Sequence, residues 1–190
     1  MDYNLIKDKY GWCSSWAIWK KRDTNKKEKY GMDDISFFDN INTNLLNPNI
    51  ILVGLNISKK LTDEPFSNFH PKHNTAHDYK TRYALEETLY WGSYMTDIIK
   101  DYEDVVSNNV MKYLRDNPEF EKENIDKFKQ EIIDIGSVNP ILIAFGNSSY
   151  KILNKYFKDT YKIFKVSHYS SNITKEQLKT EFLNFNLLNL

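Results

Sequence analysis

The sequence predicts an α/β protein: a three-layer α/β/α sandwich around a mainly parallel four-stranded sheet. Two observations carry that prediction. The runs 50–56 (Ile-Ile-Leu-Val-Gly-Leu-Asn) and 141–145 (Ile-Leu-Ile-Ala-Phe) are apolar without alternation, as strands covered on both faces are. Segments with helical apolar spacing lie between the strand candidates, the order of a parallel sheet with crossover helices.

Each element has its own signal. Asn47-Pro48-Asn49 introduces the first strand; Asn139-Pro140 introduces the second run and Gly146 ends it. A third strand is read over 93–99. A fourth, over 161–166, alternates better and belongs nearer a sheet edge. Helical spacing runs from His77 to Trp91 through Tyr79, Tyr83, Leu85, Leu89 and Tyr90. Asn117-Pro118 divides two helices near 103–116 and 119–135, the second with Phe120, Ile125, Phe128, Ile132 and Ile135 on one face. A helix over 148–157 begins at Asn147 or Ser148. The last helix has Thr174 as N-cap and Gln177 three residues on, the capping-box spacing. Its apolar face uses Leu178, Phe182, Phe185 and Leu188.

At 190 residues the chain suits one domain over 1–190, with 1–45 a helical and loop extension packed on it. Aromatics at 15% exclude wholesale disorder. Lys and Arg number 26, as do Asp and Glu, so the chain is not a uniformly basic nucleic-acid binder. The stretch 151–165 nevertheless carries five Lys and one Asp, a local basic face. The polar stretch 20–29 reads as a solvated loop. One cysteine, Cys13, excludes an internal disulfide, a four-Cys zinc site or an iron–sulfur cluster. No apolar run reaches the ~18 residues of a membrane span, and the N-terminus lacks a basic region followed by an apolar one. A cytoplasmic protein is the expectation, with no membrane partner and no cofactor.

In open parallel sheets ligands bind beyond the carboxyl ends of the strands. The residues there are Gly54, Leu55 and Asn56; Gly146, Asn147 and Ser148; and His168 to Asn172, including Ser170. Thr96 and Asp97 are polar inside the apolar third strand. Each also has a structural reading. Gly54 relieves crowding, Asn147 and Ser148 cap a helix, Ser170 belongs to a turn, and Asp97 is a hydrogen-bonding group. Their placement at one sheet edge favours a polar cleft. His70, His73 and His77 have an H-x-x-H-x-x-x-H spacing that suggests a metal site. Pro71 and the helix start at Asp78 favour a ligand-contacting loop instead.

These strand-end motifs resemble those of the uracil-DNA glycosylase superfamily. Residues 51–56, Ile-Leu-Val-Gly-Leu-Asn, are similar to the G-x-N-P-G motif of its mismatch-specific and thymine-type members. Residues 142–147 match its later apolar strand that ends in Gly and opens a helix. Residues 166–170, Val-Ser-His-Tyr-Ser, stand where the family has H-P-S or N-P-S. Ile57 and Ser58 replace Pro-Gly, Tyr169 replaces Pro, and Thr96-Asp97 stands near the family's base-reading Asn. The resemblance spans roughly 50–185. It implies a glycosylase-like protein that hydrolyses the N-glycosidic bond of a deaminated or mismatched base in DNA. In that reading Asn56 orients water and His168 stabilises the departing base. Phe69, or Phe66 behind it, stacks on a flipped base, and backbone N–H groups of 146–149 hold phosphate. Asn74 lies in the same ligand-contacting loop. A non-catalytic nucleic-acid or nucleotide binding module and a metal-dependent hydrolase are the alternatives.

Overall fold

Five strands, not four, form the sheet, in the order β1-β3-β2-β4-β5. The computed structural model describes residues 1–59, 64–71 and 76–185. The four expected strands are β2 (Asn47–Asn56), β3 (Ser93–Ile99), β4 (Ile141–Phe145) and β5 (Lys162–Val166), and they run parallel. The fifth, β1 (Ser14–Trp16), comes from the N-terminal extension and pairs antiparallel with β3, so the sheet is mixed. Three residues reading Ser-Ser-Trp carry no periodicity, which is why the sequence hides this strand. β5 takes the edge position its alternation suggested.

β2 is central because Ile51 to Leu55 are apolar on both sides, and the sheet buries them all. Ile51, Val53 and Leu55 share one core with α1 (Tyr3–Tyr10), α3 (Ser107–Asp116), α4 (Pro118–Asp134) and α5 (Gly146–Phe157). Ile50 and Leu52 share the other with α2 (Tyr79–Leu85) and α6 (Lys175–Leu183). Full burial of such a side chain is worth ~1.5–3 kcal/mol. The helices therefore lie on both faces of the sheet.

Four helix boundaries depart from expectation, the first being α3, which starts at Ser107 rather than near 103. The 77–91 segment is helical only over Tyr79–Leu85, because Glu87 takes a positive φ of 62° and the chain turns through 86–92. Pro118 opens α4 at its first position, where a missing N–H is harmless. α5 starts at Gly146 with Phe145 as N-cap, so Asn147 and Ser148 sit in its first turn rather than capping it. The Thr174–Gln177 capping box forms as read. Leu178 and Phe182 are buried, Phe185 is half-buried, and Leu188 lies outside the described residues.

After β2 the chain steps to β3 on one side. After β3 it crosses to β4 and β5 on the other. The neighbours β2 and β4 thus flank the topological switch point, where doubly wound sheets open a crevice at their carboxyl ends. Among the described residues no helix is long and apolar enough to cross a membrane.

Candidate functional site

Gly54 and Asp97 are register neighbours near the carboxyl ends of β2 and β3. A Cβ on Gly54 would overlap Asp97 Oδ1, so only glycine lets that carboxyl group lie across the strand. The crowding reading of Gly54 is correct, and the crowding group is itself a candidate site residue. Asn68 donates from Nδ2 to Asp97 Oδ2 at 3.0 Å and to the Cys13 carbonyl at 2.8 Å. Phe69 follows at once, with Cε1 3.8 Å from the position of a Gly54 Cβ. Both Phe66 and Phe69 hold positive φ, 65° and 64°, a costly conformation for bulky residues that clusters at functional sites. Their rings diverge. Phe69 packs on the α2–α6 face, whereas Phe66 packs against Phe38 and Tyr3 in the other core, at 5.2 and 5.7 Å between centroids.

Burial pushes the Asp97 carboxyl up to about 6, against the opposing pull of Asn68 and Lys100. Lys100 is buried in turn. It donates to the Asp97 carbonyl at 2.6 Å and pairs with buried Glu131 at 2.7 Å. Burial works against its charge, but Glu131 leaves it above its ordinary value. This pair and the Lys100 N–H bond to Asn124 Oδ1 (2.9 Å) fix the end of β3.

A second buried carboxyl, Asp78, precedes α2. Burial raises it to about 7, opposed by a hydrogen bond donated by the Tyr169 hydroxyl, with Asp97 adding repulsion. Burial and Asp78 hold that hydroxyl well above its ordinary range. Sequence reasoning missed Asp78 and Asn68. Their only sequence signal is position, immediately before the α2 helix and immediately before Phe69.

His168 follows β5. Its ring stacks on Tyr169 at 4.4 Å and meets the Phe145 ring edge-on at 6.4 Å. Gly146, at φ 83°, lets β4 turn into α5 beneath it; a Cβ there would stand 3.3 Å from His168 Cβ. The Ser170 N–H donates to Nδ1 at 3.2 Å, and Ser170 Oγ lies 2.7 Å from the same nitrogen. Nδ1 is therefore the acceptor, which places the proton of the neutral ring on Nε2. Burial pushes this histidine down to about 4, so it is neutral at pH 7.

Asn56 donates from Nδ2 to the carbonyls of Asp104 (2.9 Å), Tyr102 (3.1 Å) and Ile57 (3.3 Å). Three carbonyls around one end identify it as the nitrogen and, the amide being planar, fix the direction of Oδ1. Asn56 and His168 end strands with β4 between them, roughly 10 Å apart by strand spacing. Leu55 is buried in the core between Gly54 and Asn56. Asn147 accepts from Lys165 Nζ at 2.9 Å; Ser148 is half-buried. Within the basic run 151–165, Lys155 is paired with Glu121 at 2.9 Å. Asn74 lies outside the described residues, as does His73.

His70 is enclosed by Trp19 and Phe38, at 5.3 and 5.5 Å between rings, and burial pushes it down to about 4. His77 stands by Tyr79. Among the described residues no three His, Cys, Asp or Glu side chains converge to hold a metal. Cys13 is buried, and that burial raises its thiol.

Comparison of the chain with family models, curated proteins and solved structures returns no match.

Proposed function

We propose that the carboxyl ends of β2, β4 and β5 form a cleft that receives a nucleobase flipped out of DNA and that the protein hydrolyses its N-glycosidic bond. The observation that carries the reading is that Asp97 and Phe69 meet at Gly54, with Asn68 bonded to Asp97, beside the β2–β4 switch point, while His168 follows β5 on the far side of β4. The reading takes the parallel strands and their helices as one three-layer α/β/α domain over 1–190, with 1–45 as its extension, working in DNA repair in the cytoplasm.

The chemistry divides among these residues. Flipping costs a few kcal/mol, which stacking on Phe69 offsets by ~1–3 kcal/mol. Asn68, whose two amide hydrogens go to Asp97 Oδ2 and the Cys13 carbonyl, orients the Asp97 carboxyl, and Asp97 Oδ1 presents an acceptor to a base edge. As the bond to the sugar breaks, electrons pass to the base, and the Nε2–H of neutral His168 donates to the base oxygen that takes the charge. Asn56 is a weak base. Its fixed Oδ1 orients the water that adds to the sugar carbon, and the proton passes to solvent. No metal or cofactor enters this route.

A second reading keeps the cleft without the chemistry. Asn56 favours it, because its amide nitrogen is committed to holding residues 102–104. One experiment separates the two. Oligonucleotides carrying uracil, hypoxanthine or mismatched thymine, single-stranded and duplex, are incubated with the protein and cleaved with alkali. Strand scission at one lesion supports the glycosylase. Retention of a lesion oligonucleotide without scission supports the binding module. Neither scission nor retention refutes both.

A further inference from the structure

The stretch 20–29 is a largely exposed loop, as expected, and with Tyr30 it is tied to the body of the protein at its end. It carries six cations and two carboxylates in a chain of zero net charge. Arg82 of α2, 2% exposed, clamps it by donating to the carbonyls of Glu28 and Tyr30, the latter at 3.0 Å. Lys175 at the start of α6 pairs with Glu28. Three tyrosines line the result, each with a cation over its ring. Lys26 lies over Tyr30 at 5.8 Å and Lys29 over Tyr79 at 5.4 Å. Tyr83 takes Lys175 at 4.6 Å, Lys179 at 5.5 Å and Arg22 at 5.7 Å. Tyr79 and Tyr83, four residues apart on α2, share one helix face. Between Tyr30 and Tyr79 lies a cleft of about 340 Å3, lined also by Lys20, Lys29, Asp33 and Asp34, with Tyr83 and the other cations outside it.

We propose that this Tyr30–Tyr79–Tyr83 face, with Arg22, Lys26, Lys29, Lys175 and Lys179, is the track for a single-stranded nucleic acid. The proposal rests on the nucleic-acid reading above and names where the strand runs. Single-strand binders combine cations that follow the backbone with rings on which bases stack. Lys175 is tied to Glu28 and Lys179 donates to the Glu86 carbonyl at 3.1 Å, so these two hold the face together, while an arriving phosphate draws the exposed Lys26 ammonium from Tyr30 and uncovers that ring for a base. An acidic protein segment would use the charge but leave the tyrosines without partners. The track also reaches the cleft. Asp78, immediately before α2, is bonded by Tyr169, and Lys80 Nζ donates to the Ser171 carbonyl at 3.2 Å.

The test is fluorescence anisotropy of the full chain with a labelled 15-nucleotide oligo-dT, an abasic strand of the same length, and polyglutamate. The parent should bind oligo-dT at least fivefold more tightly than the abasic strand and than polyglutamate. Arg22→Ala/Lys26→Ala/Lys179→Ala should lose at least tenfold and lower the salt slope by about 2, since each single-strand phosphate contact contributes about 0.7. Tyr30→Ala, at an exposed position, should lose about fivefold or more on oligo-dT and nothing on the abasic strand. A charge-matched control, Lys112→Ala/Arg115→Ala/Lys122→Ala on α3 and α4, should bind as the parent does. The proposal is overturned if the parent binds no oligo-dT, if polyglutamate binds equally well, or if the triple variant stays within twofold. Excision is read separately by alkali cleavage at saturating protein. Loss of this track leaves that result standing, and absence of excision leaves this binding standing.

Discussion

Replacing Asp97 by Asn removes a charge that the fold holds in a buried place. Burial raises the carboxyl from 3.8 to about 6. The stability tied to a raised carboxyl is complete below its unfolded value and is lost as pH rises through its folded value. For Asp97 the loss spans pH 4 to 6, and the shift of about two units corresponds to ~3 kcal/mol. Asn keeps the shape, and its Oδ1 can still accept the Asn68 amide. Asp97→Asn should therefore stabilise the protein by up to ~3 kcal/mol at pH 8 and by about half that at pH 5. Urea unfolding followed by tryptophan fluorescence at both pH values measures the difference. A gain that is equal at the two pH values, or a loss at pH 8, would refute the claim that Asp97 is a desolvated carboxyl. A functional site that costs stability is the expected trade, so the same variant should bind a nucleobase more weakly.

Three further outcomes follow from the cleft. Gly54→Ala should cost ~1–3 kcal/mol in a denaturant melt, because the new Cβ meets Asp97 Oδ1, and Asp97→Gly should relieve much of that cost in the double variant. Phe69→Ala should weaken nucleobase binding by ~1–3 kcal/mol in a calorimetric titration, with far-UV circular dichroism unchanged; undiminished affinity would remove the stacking role. His168→Ala should slow base release on the order of 100-fold. Burial lowers this histidine to about 4, so its neutral donor form persists as pH falls and is lost only near pH 4. A rate that halves near pH 6.5 and is abolished below it would contradict that environment.

What the sequence disclosed was whatever local pattern governs. β2 and β4 were legible because an unbroken apolar run has few other uses in a chain with no membrane-length segment. The Thr174 cap was legible because its two partners lie within four residues. β1 was not, since Ser14 and Ser15 become strand only when β3 supplies their hydrogen bonds. α2 was overextended because Leu89 and Tyr90 keep helical spacing while Glu87 and Gly92 turn the backbone. In the site, Gly54, Asp97 and His168 were visible from position after or within strands, and Phe69 from the family resemblance. The Asp78–Tyr169 bond was not, because it joins residues 91 apart in the chain. Phe66 stood second to Phe69 in the sequence reading, and opposite sides of the sheet separate them. The 20–29 stretch is exposed as read, and only its anchor, Arg82, more than fifty residues away, was hidden.

The claim on which the rest depends is that a nucleobase enters at the carboxyl ends of β2, β4 and β5. Amide chemical shifts of the 15N-labelled full chain, followed during titration with free uracil and with a uracil-containing oligonucleotide, test it directly. The account predicts that uracil alone shifts Gly54, Asn68, Phe69, Asp97, Gly146 and His168. The oligonucleotide should shift these together with Tyr30, Tyr79 and Tyr83. Shifts from free uracil confined to residues away from Gly54 and His168, or none at concentrations where the oligonucleotide is bound, would contradict it.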